Sequence, residues 1–221
     1  MKYRIFLFFI VFLAGFFSFS SGFLTADNKT EGKVLQAAQE GLSEFLESIP
    51  AHELTYYGFQ SLEELSQAEL GVPFRVYTIL PDELEKYRFP DSLGDILRET
   101  PIWFVPVLVE GERRVILTVT PAGEKWETVG LSGARLASEL EDFYSHISEE
   151  MESAGVSGVS SLKFVRVFQA ASDFIFLQTE IDEYLKPFSS ASLALGLEKQ
   201  GLLLPVEIIP KLKVKVRENL R

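Results

Sequence analysis

Apolar residues recur along this chain with two different periods, and the switches between them mark the elements. From Lys33 to Ile49, Val34, Ala38, Leu42, Phe45 and Ile49 fall at helical spacing. Glu40, Glu44 and Glu47 lie off that stripe and Pro50 ends it, which predicts an amphipathic helix. Ser61–Leu70 predicts a short helix, with Ser61 as N-cap, Glu64 at capping-box spacing and Gly71 as breaker. Val72–Leu80 is β-branched and aromatic and predicts a strand. Asp82–Arg98 is a charged connection of weak helical character, interrupted at Phe89-Pro90, with Asp91 or Ser92 capping a second short helix.

The most regular stretch is Ile102–Leu131. Three apolar or alternating runs are separated by turns at Glu110-Gly111 and Pro121-Ala122-Gly123, the pattern of an antiparallel meander. Ile102–Val109 is apolar on both faces, which asks for burial, yet Pro106 cannot donate to a ladder. A bulge at Pro106, or a position beside an uncovered edge, reconciles the two. Ala134–Ala154 then predicts a long helix on the stripe Leu136, Leu140, Phe143, Ile147 and Met151, with Ser132 as N-cap and Gly155 at the C′ position.

After a Gly/Ser-rich linker, Leu162–Phe168 and Asp173–Leu177 predict a hairpin across Gln169–Ser172. Thr179–Leu185 predicts a short helix stopped by Pro187, and Ser189–Gly201 reads as helix or loop. In Leu202–Arg217, Leu212, Val214 and Val216 alternate with Lys211, Lys213, Lys215 and Arg217, which predicts a half-buried strand with one basic face.

The N-terminal pattern belongs to neither class. Lys2 and Arg4 precede the unbroken apolar run Ile5–Phe17, with small residues at Ser20, Ser21, Gly22 and Ala26. We read residues 1–26 as a secretory signal peptide, with an uncleaved N-terminal anchor as the alternative. Residues 27–32 are expected to be a linker and 33–221 a single domain. The fold class is α+β: an antiparallel sheet built on a three-strand meander and packed by two amphipathic helices.

Composition narrows the function. The chain carries 21 basic and 32 acidic residues, a net charge of −11. That argues against nucleic acid as a partner, because phosphate binding needs clustered Lys and Arg. It leaves contact with a membrane to the N-terminal segment alone. Cysteine is absent, so an exported domain must rest on its core, and thiol nucleophiles and thiolate metal sites are ruled out. Export without disulfides fits bacterial better than eukaryotic secretion.

Four groups of residues are candidates for chemistry. His52-Glu53 opens like half of a zinc-protease motif, but Tyr56 stands where the second His is required. Asp142, His146 and Glu150 follow at four-residue spacing on the long helix, a carboxylate–imidazole–carboxylate row suited to a divalent metal or to acid–base work. Lys211, Lys213, Lys215 and Arg217 offer a docking strip for an anionic polymer or an acidic partner, or simply protect a sheet edge. Tyr56, Tyr57 and Phe59, with Tyr77 and Tyr87, suit a binding groove or packing under a loop. No motif calls for a cofactor. The expected function is an exported, non-enzymatic domain that binds a protein or other ligand at the cell envelope. The alternatives are a metal-dependent or acid–base enzyme using His146 or His52, and a membrane-anchored structural subunit.

Overall fold

The computed structural model describes residues 28–198 and 201–220. The signal or anchor segment, residues 1–26, lies outside them. In chain order the elements are α1 (Asn28–Glu47), α2 (Leu62–Leu65), β1 (Glu69–Leu70), β2 (Phe74–Ile79) and α3 (Pro81–Lys86). Next come β3 (Leu97–Val109), β4 (Glu112–Ala122), β5 (Lys125–Leu131) and α4 (Ala134–Ser153). The chain continues through β6 (Ser161–Val167), β7 (Ser172–Gln178), β8 (Glu183–Pro187), α5 (Ser189–Leu195) and α6 (Pro205–Asn219).

The class is α+β, with one mostly antiparallel 8-stranded sheet in the order β5-β4-β3-β2-β6-β7-β8 and β1 beside β3. The meander forms one wing and the β6–β7–β8 strands the other. They join through β2 and β6, which run parallel at Val76↔Phe164 and Tyr77↔Val165. Side chains alternate across each strand. On one face, α1 packs Val34, Ala38, Leu42 and Leu46 against Trp103, Val105, Leu117 and Val119 of the meander. On the same face of the other wing, Leu84 of α3, Ala191 of α5 and Ile208, Leu212 and Val216 of α6 close over Val165, Phe174 and Phe176. The opposite face is covered by α4, whose Ala137, Leu140 and Phe143 join Phe74, Phe104, Ile116, Phe164 and Ile175.

Pro106 sits in the gap between β2, whose pairing ends at Phe74↔Phe104, and β1, whose pairing begins at Leu70↔Val107. Its carbonyl accepts the Gly71 N–H at 2.8 Å. The N–H and C=O of one strand residue point to the same side, so the missing donor falls where the chain crosses from β1 to β2. The bulge lies just beyond it, between Val107 and Leu108. The first turn is a two-residue loop with positive φ at both Glu110 and Gly111. The second is displaced: Pro121 and Ala122 pair with Trp126 and Lys125, so the chain reverses at Gly123-Glu124.

Five local expectations are corrected. Helix α1 begins at Asn28, so Asn28–Gly32, expected as linker, forms its opening turns. Gly133, not Ser132, is the N-cap of α4; the Ser132 hydroxyl accepts the Ile116 N–H at 3.1 Å instead. Asp91–Leu97 holds only a single 3₁₀ turn, Gly94–Ile96. Thr179–Leu185 is a turn followed by strand: the Thr179 hydroxyl accepts the N–H groups of Ile181 and Asp182, and Glu183–Pro187 then pairs with β7. Finally, Leu202–Arg217 is not a strand. Leu203 makes one bridge to Leu185, and the chain then enters α6 with Pro205 in its first turn and the Glu207 carboxylate accepting the Leu204 N–H.

Candidate functional site

Among the expected site residues, only Tyr56 lines a cleft formed by several separate elements. This cleft, about 460 Å³ in volume, opens at the N-terminal end of α4, on the face that α4 covers. Its walls come from separate parts of the chain: Tyr56, the Ser132-Gly133 junction, Arg135, Leu136 and Glu139 of α4, the cross-strand pair Arg166 and Asp173, and Ser189 and Ser190 at the start of α5.

The local sequence explains the geometry. Gly133 carries no side chain, and a Cβ there would meet the Tyr56 ring at 3.2 Å, so the glycine lets the phenol lie against the backbone. The first turn of α4 has neither a side-chain cap nor an acidic residue. Without a side-chain cap, the N–H groups of its first turn give this end of the cleft the positive pole of a 20-residue helix. Arg166 and Asp173 meet because the β6–β7 register sets them opposite each other. Nε lies 2.6 Å from Oδ1 and Nη2 3.0 Å from Oδ2, a bidentate pair. The Arg166 guanidinium stacks 5.1 Å over the Phe104 ring, which fixes its plane.

Ser190 and Asp173 complete the wall. The Asp173 N–H donates to Ser190 Oγ at 3.0 Å, and that hydroxyl donates to Asp173 Oδ2 at 3.1 Å. Glu139 accepts the Ser189 N–H at 2.9 Å and the Ser189 hydroxyl, tying α4 to α5. Asp173 is buried, and its carboxylate is shared between Arg166 and the Ser190 hydroxyl. The arrangement is a set of positioned donors and acceptors beside Ala134 and Leu136, suited to holding a ligand.

The other candidates separate. Phe59 is a core residue, fully buried in the α1 cluster, and Tyr57 packs beside it; neither lines the cleft. Tyr87 is likewise buried, under α6. The His146 row does not assemble. Its Nδ1 lies 2.9 Å from the Asp142 carbonyl oxygen, Glu150 is paired with Lys186 of β8, and no group of His, Asp and Glu among the described residues has the makings of a metal site. The His52 side chain is 82% exposed and lies beside the Glu53 carboxylate.

The basic strip is divided by the helix that carries it. Lys211 and Lys215 fall on one side of α6, Lys213 and Arg217 on another. Lys211 donates to the Gly196 carbonyl at 2.9 Å and Lys213 to the Tyr87 carbonyl at 2.8 Å. Burial pushes the Lys213 ammonium below the usual lysine range. Arg217 donates two hydrogen bonds to Glu85, which hold that carboxyl below its ordinary range.

Arg166, Asp173, Glu139, Ser189 and Ser190 were not evident as a site in the sequence. One partial signal for them was present: the expected hairpin across Gln169–Ser172 puts Arg166 and Asp173 on the same face, but two residues out of the observed register. Nothing in the order of residues announces that α5 brings its serines to the same wall. Compared with known proteins, the chain matches no family model, no curated protein and no solved structure.

Proposed function

We propose that this chain is an exported, non-enzymatic binding module of the cell envelope, and that its protein or small-molecule ligand seats in the cleft at the start of α4. The observation that carries the reading is the convergence there of Tyr56, an uncapped helix terminus, the Arg166–Asp173 pair and Ser189-Ser190. Arg166, Asp173, Ser189 and Ser190 are already hydrogen-bonded in place, so little side-chain freedom of the protein is lost there on binding. Export rests on the basic and apolar N-terminal pattern.

The test replaces Tyr56 by a photo-crosslinking benzoylphenylalanine in the producing cells. Tyr56 is 68% exposed, so the larger ring is accommodated. Ile181, at 89% exposure outside the cleft, is the control position. A discrete product from position 56 and none from 181 is expected. No product at 56, or the same products at both positions, overturns the proposal.

A further inference from the structure

The face of the sheet opposite α4 carries a second feature, where the two wings join. On this face α1 lies over the meander, and α3, α5 and α6 close over the other wing. Where the clusters meet lie Arg75 of β2, Lys163 of β6 and Glu99 of β3, with Tyr77 of β2 packed on the edge of the second cluster. Arg75, Tyr77 and Lys163 are half-buried, and Glu99 is exposed. The register explains the grouping: Arg75 is paired with Trp103, Tyr77 with Glu99 and with Val165, and Lys163 stands two residues before Val165.

This strip has too few acceptors for its donors. The Lys163 ammonium sits 5.1 Å from the Tyr77 ring centroid and 5.9 Å from that of Phe176, with no carboxylate or carbonyl acceptor among the described residues. Arg75 stacks 4.8 Å over Trp103 and pairs with Glu99. Its Nε, and the Nε1 of the fully buried Trp103, have no acceptor. A partly desolvated cation without a counter-charge is costly, and the same desolvation strengthens its attraction for an anion.

We infer that this strip docks a carboxylate-rich, extended segment of a partner protein. The sign of the partner follows from charge: two cations face one carboxylate on a molecule of net charge −11. Its extended form follows from the sheet, since Arg75 and Tyr77 lie two residues apart on β2 and Lys163 stands beside them on β6. An incoming carboxylate takes Lys163 and shares Arg75, while Glu99, whose side chain is 58% exposed, gives way to solvent at little cost. The rings of Tyr77 and Phe176 hold the ammonium in place, so less side-chain freedom is lost on docking.

The experiment is fluorescence anisotropy of a labelled oligoglutamate peptide with the purified full chain. Lys163→Glu is the main variant. Lys163→Met keeps the stem between its rings and guards against loss through misfolding. Lys125→Glu makes the same charge change at an exposed residue of β5. The expected result is saturable binding at low ionic strength that is weakened by added salt. Lys163→Glu weakens it roughly tenfold, Lys163→Met a few-fold, and Lys125→Glu leaves it within about twofold. The inference is overturned if the wild-type chain does not bind. It is equally overturned if Lys125→Glu weakens binding as much as Lys163→Glu does, or if Lys163→Met binds like the wild type.

Discussion

Gly41 lies in the middle of α1, where glycine ordinarily weakens a helix by roughly 1 kcal/mol relative to alanine. Replacing it by alanine would therefore stabilise an isolated helix. Here α1 rests on β5 so closely that a Cβ at position 41 would meet Thr128 Cβ at 2.7 Å and Oγ1 at 2.8 Å. Both Cβ atoms are fixed to backbone, so no rotamer relieves the overlap. Thr128→Ala would not relieve it either, because that Cβ remains. Helix and strand must separate, and the hydrogen bond from Thr128 Oγ1 to the Ala37 carbonyl, 2.9 Å, is strained with them. Overpacking of this kind costs about 1–3 kcal/mol, and the lost hydrogen bond about 1 more. Against a propensity gain of roughly 1, Gly41→Ala should destabilise the fold by about 1–3 kcal/mol. Gly32→Ala, on the same helix with nothing within 4 Å of its Cβ, should stabilise it by up to about 1 kcal/mol. Urea unfolding midpoints read both. A Gly41→Ala midpoint at or above that of Gly32→Ala would refute the packing of α1 on β5 described above.

Two further outcomes follow from the same side of the sheet as the cleft. Asp173→Ala leaves Arg166 without its counter-charge and should cost about 2–3 kcal/mol, the Arg side chain being 31% exposed. Arg166→Met/Asp173→Ala should recover most of that in urea unfolding, and a double variant no better than the single would locate the cost elsewhere. Burial raises the Tyr144 hydroxyl above the usual tyrosine range, against the opposing pull of Arg113. Its contribution is complete below a pH of about 10 and is lost as pH rises through the raised folded value. Thermal midpoints of Tyr144→Phe should fall less steeply above that pH than those of the wild type; parallel curves would contradict the assignment. Some slope remains, since burial also raises Tyr87 and Tyr184.

How far the sequence discloses this fold depends on whether one period governs a stretch. The α1 and α4 stripes and the meander each have a single reading, and all three are present. The C-terminal segment has two. Leu212 and Val216 are four apart and satisfy a helix and a strand alike; Val214, which tips the pattern towards a strand, is 52% exposed on α6. Pro205, Glu207 and the adjacent Ile208 and Ile209 carry the helical signal. The single basic face exists only at strand period; at helical period the four cations divide between two sides of α6. Phe59 shows the same limit: an aromatic near a loop looks like an interface residue until the core it fills is known. The cleft was the least legible part, because its polar groups belong to distant elements and meet only through strand register and helix packing.

We propose the cleft beside α4 as the ligand-contacting surface. Ser189→Trp tests it most directly. Ser189 is exposed on the cleft wall, and its backbone N–H bond to Glu139 survives the substitution. The indole fills the cleft while leaving the core intact, as an unchanged urea midpoint would verify. Placed in the chain with benzoylphenylalanine at position 56, it should abolish the discrete crosslinked product. A product of undiminished yield from a folded Ser189→Trp chain would contradict the account.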